Sequence, residues 1–123
     1  MKQTIFIDRF PPSTNALFTN RRQKGAKGRM RTDRYQCWLT EQGLKINRQS
    51  PKLMDGRCMV YIAATPPDKR ARDIDNMAKP VLDILVSSGV LKDDNINHLK
   101  ALFMEWVDDG QPGTISVEVK TIE

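Results

Sequence analysis

An α+β fold, with about four strands in one mixed sheet packed by two helices and with a long basic loop, is predicted for this chain by three observations. Apolar residues recur at helical spacing in two segments, short β-rich runs occur in four others, and the segments follow the order β, loop, α, β, α, β, β. A length of 123 residues with 39% hydrophobic and 28% charged side chains suits one compact domain, residues 1–123.

The first strand is placed over Gln3 to Arg9, where apolar residues lie between polar ends and Pro11-Pro12 forbids continuation of a central ladder. Ser13 to Thr32 carries Asn, Gly, Arg and Lys with no period and is expected as a long loop, a length that in small domains usually serves function. Thr32 or Asp33 caps the first helix, whose inner face is Tyr35, Trp38, Leu39, Gln42 and Ile46 and which ends at Ser50-Pro51. Arg57 to Thr65 is short, β-rich and closed by Pro66-Pro67, as in a largely buried strand. A second helix is predicted from Asp75 to Ser88, with Met77, Val81, Ile84, Leu85 and Ser88 inside and Gly89 as its stop. Pro80 falls near its first turn, where a missing amide donor costs little. His98 to Trp106 and Thr114 to Ile122, joined through Asp108-Asp109-Gly110, are expected to pair as a hairpin.

The net charge of +5 is concentrated in one place. Between Arg21 and Arg34 stand seven basic residues, Arg21, Arg22, Lys24, Lys27, Arg29, Arg31 and Arg34, against Asp33 alone, so this stretch holds +6 and the 13 basic and 14 acidic residues elsewhere sum to −1. A local basic block is the footprint of phosphate contact, and Gly25 and Gly28 let the backbone follow a nucleic acid closely. Lys69, Arg70 and Arg72 extend the set of DNA-binding candidates. Phe18 and Tyr35 are assigned to packing ahead of base stacking, Trp38, Trp106 and Phe103 to the core or a dimer surface, and Met30 to either.

No apolar stretch reaches bilayer length, and Asp8 interrupts the N-terminal segment before a signal-peptide core forms, so no membrane partner is expected and the chain is placed in the cytoplasm. Cys37 and Cys58 lack the paired spacing of a zinc site and are expected as buried thiols in a reducing compartment. His98, the single histidine, is assigned to a strand edge.

Acids cluster where the basic block does not. Asp73 and Asp75 lie one residue apart, Lys79 follows four residues after Asp75, and Asp93-Asp94 stand further downstream. On a helix beginning near Asp75, Asp75, Lys79 and Asp83 stack along one face. The Lys92-Asp93-Asp94 turn can return to the same point if the strand after it pairs beside the strand before the motif. A few carboxylate oxygens with open positions suit magnesium, or manganese in its place, and Lys79 would set a positive charge against a developing phosphorane. The plainer account of the same spacing is capping by Asp73 or Asp75, i,i+4 ion pairs at Lys79, and turn residues at Asp93-Asp94.

The run Arg70-Ala71-Arg72-Asp73-Ile74-Asp75-Asn76-Met77-Ala78-Lys79-Pro80, followed by Gly89-Val90-Leu91-Lys92-Asp93-Asp94, resembles the signature of the RusA family of Holliday junction resolvases. Phe10-Pro11-Pro12-Ser13 and Asn15 resemble the family more weakly, and Val90-Leu91-Lys92 stands where the family often has an aromatic residue before its acidic pair. The resemblance implies a small homodimeric, magnesium-dependent endonuclease of phage or prophage origin that nicks four-way DNA junctions symmetrically. It implies Asp73, Asp75 and Asp94 as metal-binding catalytic acids and Lys79 as the catalytic lysine, with Asp83 and Asp93 in support. Two other readings stand beside it: a non-catalytic nucleic-acid-binding regulator, and a metal-dependent nuclease for other branched DNA.

Overall fold

Alternation of apolar side chains decides which face of the sheet is covered. In the computed structural model, which describes residues 1–20 and 28–122, the chain runs β1 (Lys2–Ile7), a 3-10 turn (Thr14–Ala16), β2 (Phe18–Asn20), β3 (Arg29–Arg31), α1 (Asp33–Asn47), β4 (Cys58–Ala64), a second 3-10 turn (Ile74–Met77), α2 (Ala78–Ser87), β5 (Leu99–Trp106) and β6 (Ile115–Thr121). Ile5 and Ile7, Val60 and Ile62, and Val117 and Val119 are buried on one face, while Phe6 and Phe103 on the other stay exposed. The buried residues of that face share one cluster with Tyr35, Trp38 and Ile46 of α1 and Val81, Ile84 and Leu85 of α2, and the two helices touch each other, giving the two layers of the predicted α+β architecture.

The helices follow their sequence periods. Thr32 caps α1 by accepting from the Tyr35 amide at 3.1 Å, and the predicted inner face, Tyr35, Trp38, Leu39, Gln42 and Ile46, is buried throughout. The Gln42 amide is satisfied at the Asp8 backbone and carboxylate, which makes a polar core position tolerable. Met77, in the turn before α2, and Val81, Ile84 and Leu85 within it are buried as predicted, Ser88 is only half-buried, and Gly89 follows the helix at a φ of +74°, a backbone state that favours glycine.

Three expectations are corrected. The strand order β1-β6-β4-β5 places β4 between β5 and β6, so no hairpin forms: β4 pairs antiparallel with β6 and parallel with β5. The most apolar strand takes the centre, and the 107–114 connection easily crosses the roughly 10 Å separating strands two places apart. The segment expected as loop contains the antiparallel pair β2–β3, Phe18 opposite Arg31 and Asn20 opposite Arg29. Of the two cysteines only Cys58 is buried, its thiol pushed up by burial; Cys37 is exposed on α1, and both are free.

Candidate active site

The exit from β4 is fixed before the acids begin. The Thr65 amide donates to the Thr114 carbonyl at 2.9 Å and the Gly113 amide to the Thr65 carbonyl at 3.0 Å, after which Pro66-Pro67 lead the chain off the sheet. Asp68 then gathers the motif's arginines: it accepts from the Arg70 amide at 2.9 Å and from the Arg72 guanidinium at 2.5 and 3.2 Å, with Arg70 Nη2 at 3.2 Å. Arg72, then Arg70, hold the Asp68 carboxyl well below the usual carboxylate range. So fixed, the Arg72 guanidinium lies 5.6 Å from the centre of the Phe10 ring, which stacks on Trp106 at 6.1 Å and 17°. The Arg9 carbonyl accepts from Trp38 Nε1 at 2.8 Å, anchoring this wall to α1.

A cleft of about 760 Å³ results, lined by Arg9, Arg34, Arg70 and Arg72, by Phe10 and Trp106, and by Asp8, Asp68, Asp73 and Asn76. Asp73 occupies the residue before the second 3-10 turn in extended backbone, yet its side chain makes no capping hydrogen bond. Asp75 stands in the turn's first residues, and both acids are exposed. Among the described residues neither pairs with a cation. Capping therefore does not account for Asp73. Two exposed, uncommitted carboxylates two residues apart, one of them lining a basic cleft, are donors that fit a hard divalent cation completing its shell with water and phosphate.

Of the expected stack of Asp75, Lys79 and Asp83, the Lys79–Asp83 step forms as an i,i+4 ion pair and Asp75 leaves it. Residues 74–77 are a 3-10 turn and α2 starts at Ala78, so Asp75 is out of phase with the helix behind it. Pro80 is the third residue of α2, within the first turn as expected. Lys79 Nζ pairs with Asp83 Oδ1 at 2.9 Å, and Asp83 is turned inward at 8% exposure, not outward on a charged face. Its Oδ2 accepts from the Tyr35 hydroxyl at 2.5 Å and lies 3.9 Å from Arg31 Nη2. Burial first, and then the bond to Asp83, push the Tyr35 phenol far above its ordinary value.

Asp94 is not brought to Asp73 and Asp75 within one chain. The strand after it does pair beside β4, but parallel, so the motif leaves the C-terminal end of the pair while the 92–98 turn enters at the N-terminal end. There the Cys58 amide donates to the His98 carbonyl at 2.9 Å and Arg57 Nε to the Ile96 carbonyl at 2.9 Å. Seven residues of β4 separate the two ends, about 20 Å at the usual strand rise. Among the described residues no three His, Cys, Asp or Glu side chains form a metal cage. Asp93 serves its own turn, accepting from the Asp94 amide at 2.7 Å and from Asn95 Nδ2 at 2.9 Å.

Of the basic candidates, Arg21, Arg22, Lys24 and Lys27 lie outside the described residues. Arg29 and Arg31 project from β3, their guanidinium groups 5.5 Å from the Phe18 ring and 5.7 Å from the Tyr35 ring. Arg34 reaches the cleft, and Lys69 is exposed between Asp68 and Arg70 in the chain. Sequence reasoning passes over Asp68, the organiser of both motif arginines, although its spacing two and four residues before them is a visible signal. It also leaves Phe10 and Trp106 without a shared role, since nothing local joins residues so distant.

An uncommitted Asp73 on an arginine-lined cleft, carried by an α+β sheet, is an arrangement suited to phosphate esters. Residues 9–120 match the family described as Endodeoxyribonuclease RusA, so this chain belongs to that family and is an endodeoxyribonuclease. Among its relatives is the crossover junction endodeoxyribonuclease RusA of Enterobacteria phage HK97, 26% identical over 132 residues, which take in 99% of this chain and 100% of that protein. The crossover junction endodeoxyribonuclease RusA of Aquifex aeolicus is 42% identical over 62 residues, 50% of this chain and 48% of that protein.

Proposed function

We propose that this protein resolves four-way DNA junctions by paired, symmetric nicking, acting as a homodimer with magnesium, or manganese in its place. The observation that carries this reading is Asp73, exposed and, among the described residues, without a cation partner on a cleft bearing four arginines, with the equally exposed and unpaired Asp75 two residues further on. Acids left free amid cations stay available for an ion that itself attracts phosphate. A divalent cation bound there would orient water and take up charge on the scissile phosphate. Arg9, Arg34, Arg70 and Arg72 hold the strand's phosphates, and Lys79, four residues after Asp75 in the chain and paired with Asp83, supplies further charge for the reacting phosphate. Arg29 and Arg31, with Arg21, Arg22, Lys24, Lys27 and Lys69, bind the arms.

Homodimerisation gives Asp94 its place in this reading. About 20 Å of paired strand keeps it from an ion held by Asp73 and Asp75 of its own chain, whereas a second copy can present its Asp94 to that ion. A two-fold dimer then offers two equivalent sites to two equivalent junction strands. Both relatives are named crossover junction endodeoxyribonucleases, which supports this reading, and the setting inferred for this chain is the cytoplasm of a bacterial host, with a phage or prophage origin, in one domain.

The test is a synthetic four-way junction and a plain duplex of equal length, each incubated with and without magnesium. Symmetric nicks in the junction alone, dependent on the metal, are expected. Equal cleavage of the duplex would replace this reading with a less selective nuclease, and junction binding without cleavage in either metal would replace it with a binding protein.

A further inference from the structure

Three polar or charged side chains are buried among the described residues: Gln42, Thr65 and Asp83. Gln42 serves the Asp8 backbone, and of the three Asp83 alone carries a charge. A buried ion pair contributes little stability over an apolar side chain of the same size, so a carboxylate at this position calls for another account.

Its surroundings supply one. Each oxygen is engaged: Oδ1 holds Lys79 at 2.9 Å, and Oδ2 accepts the Tyr35 hydroxyl at 2.5 Å with Arg31 at 3.9 Å. The carboxylate therefore joins α2, α1 and β3. The Lys79 side chain is 56% exposed, and an exposed lysine of this kind ordinarily samples many rotamers. Here its partner is 10% exposed and fixed from behind by a phenol that is itself fully buried. The same phenol carries the basic hairpin, with Phe18 edge-on at 5.7 Å and the Arg31 guanidinium over its ring at 5.7 Å.

We propose that Asp83 and Tyr35 are positioning residues for Lys79, and that through Arg31 they fix the basic β2–β3 hairpin to the same buried anion. The ammonium is thus held in one place before DNA arrives, and the hairpin that meets the DNA is set relative to it. This rests on the reading of Lys79 given above.

The experiment measures single-turnover junction cleavage in magnesium at saturating protein, together with junction affinity, melting temperature and the lysine ammonium 1H–15N resonances, for the full chain. The variants are Tyr35→Phe, Asp83→Asn, Lys79→Ala and Tyr35→Phe combined with Lys79→Ala. Tyr35→Phe removes one oxygen and is expected to slow cleavage about tenfold at unchanged affinity, to alter the Lys79 ammonium resonance, and to slow Lys79→Ala no further. A parental rate in folded Tyr35→Phe, or the same tenfold loss in the Lys79→Ala background, would overturn the proposal by showing that the phenol does not act through Lys79. If Tyr35→Phe does not fold, Asp83→Asn is judged by the same rate, affinity and resonance criteria. A parental rate in Lys79→Ala would instead remove the role given to Lys79, and this inference with it.

Discussion

Ten residues separate two carboxylates of one segment that live in opposite conditions. Asp73 is exposed, uncapped and unpaired among the described residues, while Asp83 is buried and engaged by Tyr35, Lys79 and Arg31. The difference separates two uses of an acid. A buried anion whose oxygens are filled has no position left for an ion and can only hold its neighbours, whereas an exposed one without partners gives the fold nothing and stays open to a ligand.

Exchanging each acid should break the comparison most visibly. Asp75→Asn is expected to leave stability within about 0.5 kcal/mol while lowering junction cleavage about a hundredfold or more at retained binding. Asp83→Ala leaves the Tyr35 hydroxyl buried without an acceptor and should cost about 1–3 kcal/mol of stability. Denaturant melts and cleavage rates on the two variants check both halves. Cleavage by Asp75→Asn at the parental rate would end its assignment to the site.

Mixing variants sharpens the position of Asp94. If an ion is shared between Asp73 and Asp75 of one protomer and Asp94 of its partner, a mixed dimer of Asp75→Asn and Asp94→Asn has one site with both defects and one intact. Such a mixture should regain nicking of a single junction strand, although neither variant cleaves alone. An inactive mixture, with mixed dimers shown to form, would put the three acids to work within one chain or assign Asp94 elsewhere.

Much of this is legible in local order, and the rest is not local. The inner faces of both helices follow a 3.6-residue period that packing enforces, so spacing alone places Tyr35, Trp38, Val81 and Ile84. It pairs Lys79 with Asp83 but misplaces Asp75, because counting in fours from Asp75 assumes an unbroken α-helix. A 3-10 turn rotates about 20° more per residue, so three residues displace the phase by about 60°. The expected β5–β6 hairpin fails for a different reason: alternation at Ile115, Val117 and Val119 fixes which face is buried but says nothing about which strand lies alongside. Asp73 and Asp75 stand out by motif, whereas their lack of partners among the described residues is visible only in the fold.

Charge neutralisation in the hairpin gives a smaller, graded effect. Arg29→Ala and Arg31→Ala together should weaken junction binding and reduce the slope of log affinity against log salt by about 1 for each phosphate that is no longer neutralised. The fold should persist, since the Arg31 side chain is 41% exposed and 3.9 Å from its partner. Affinities equal to the parent at several salt concentrations would remove these residues from the DNA-binding surface.

The smallest effect concerns an acid intermediate between the two types. Asp8 is half in solvent yet paired with Lys45 at 2.9 Å and bonded by Gln42; Lys45 and then Gln42 hold its carboxyl below the ordinary 3.8. A depressed folded value means that the stabilisation is fully present above the unfolded value and is lost as pH falls through the folded one. Asp8→Asn should therefore cost about 0.5 kcal/mol at pH 7, the scale of an exposed pair, and the same at pH 5. The difference from the parent should shrink only below pH 3.8. Thermal melts of parent and variant across that range test it, and a difference already closing between pH 7 and 5 would mean that Asp8 is not held by Lys45 as the structure has it.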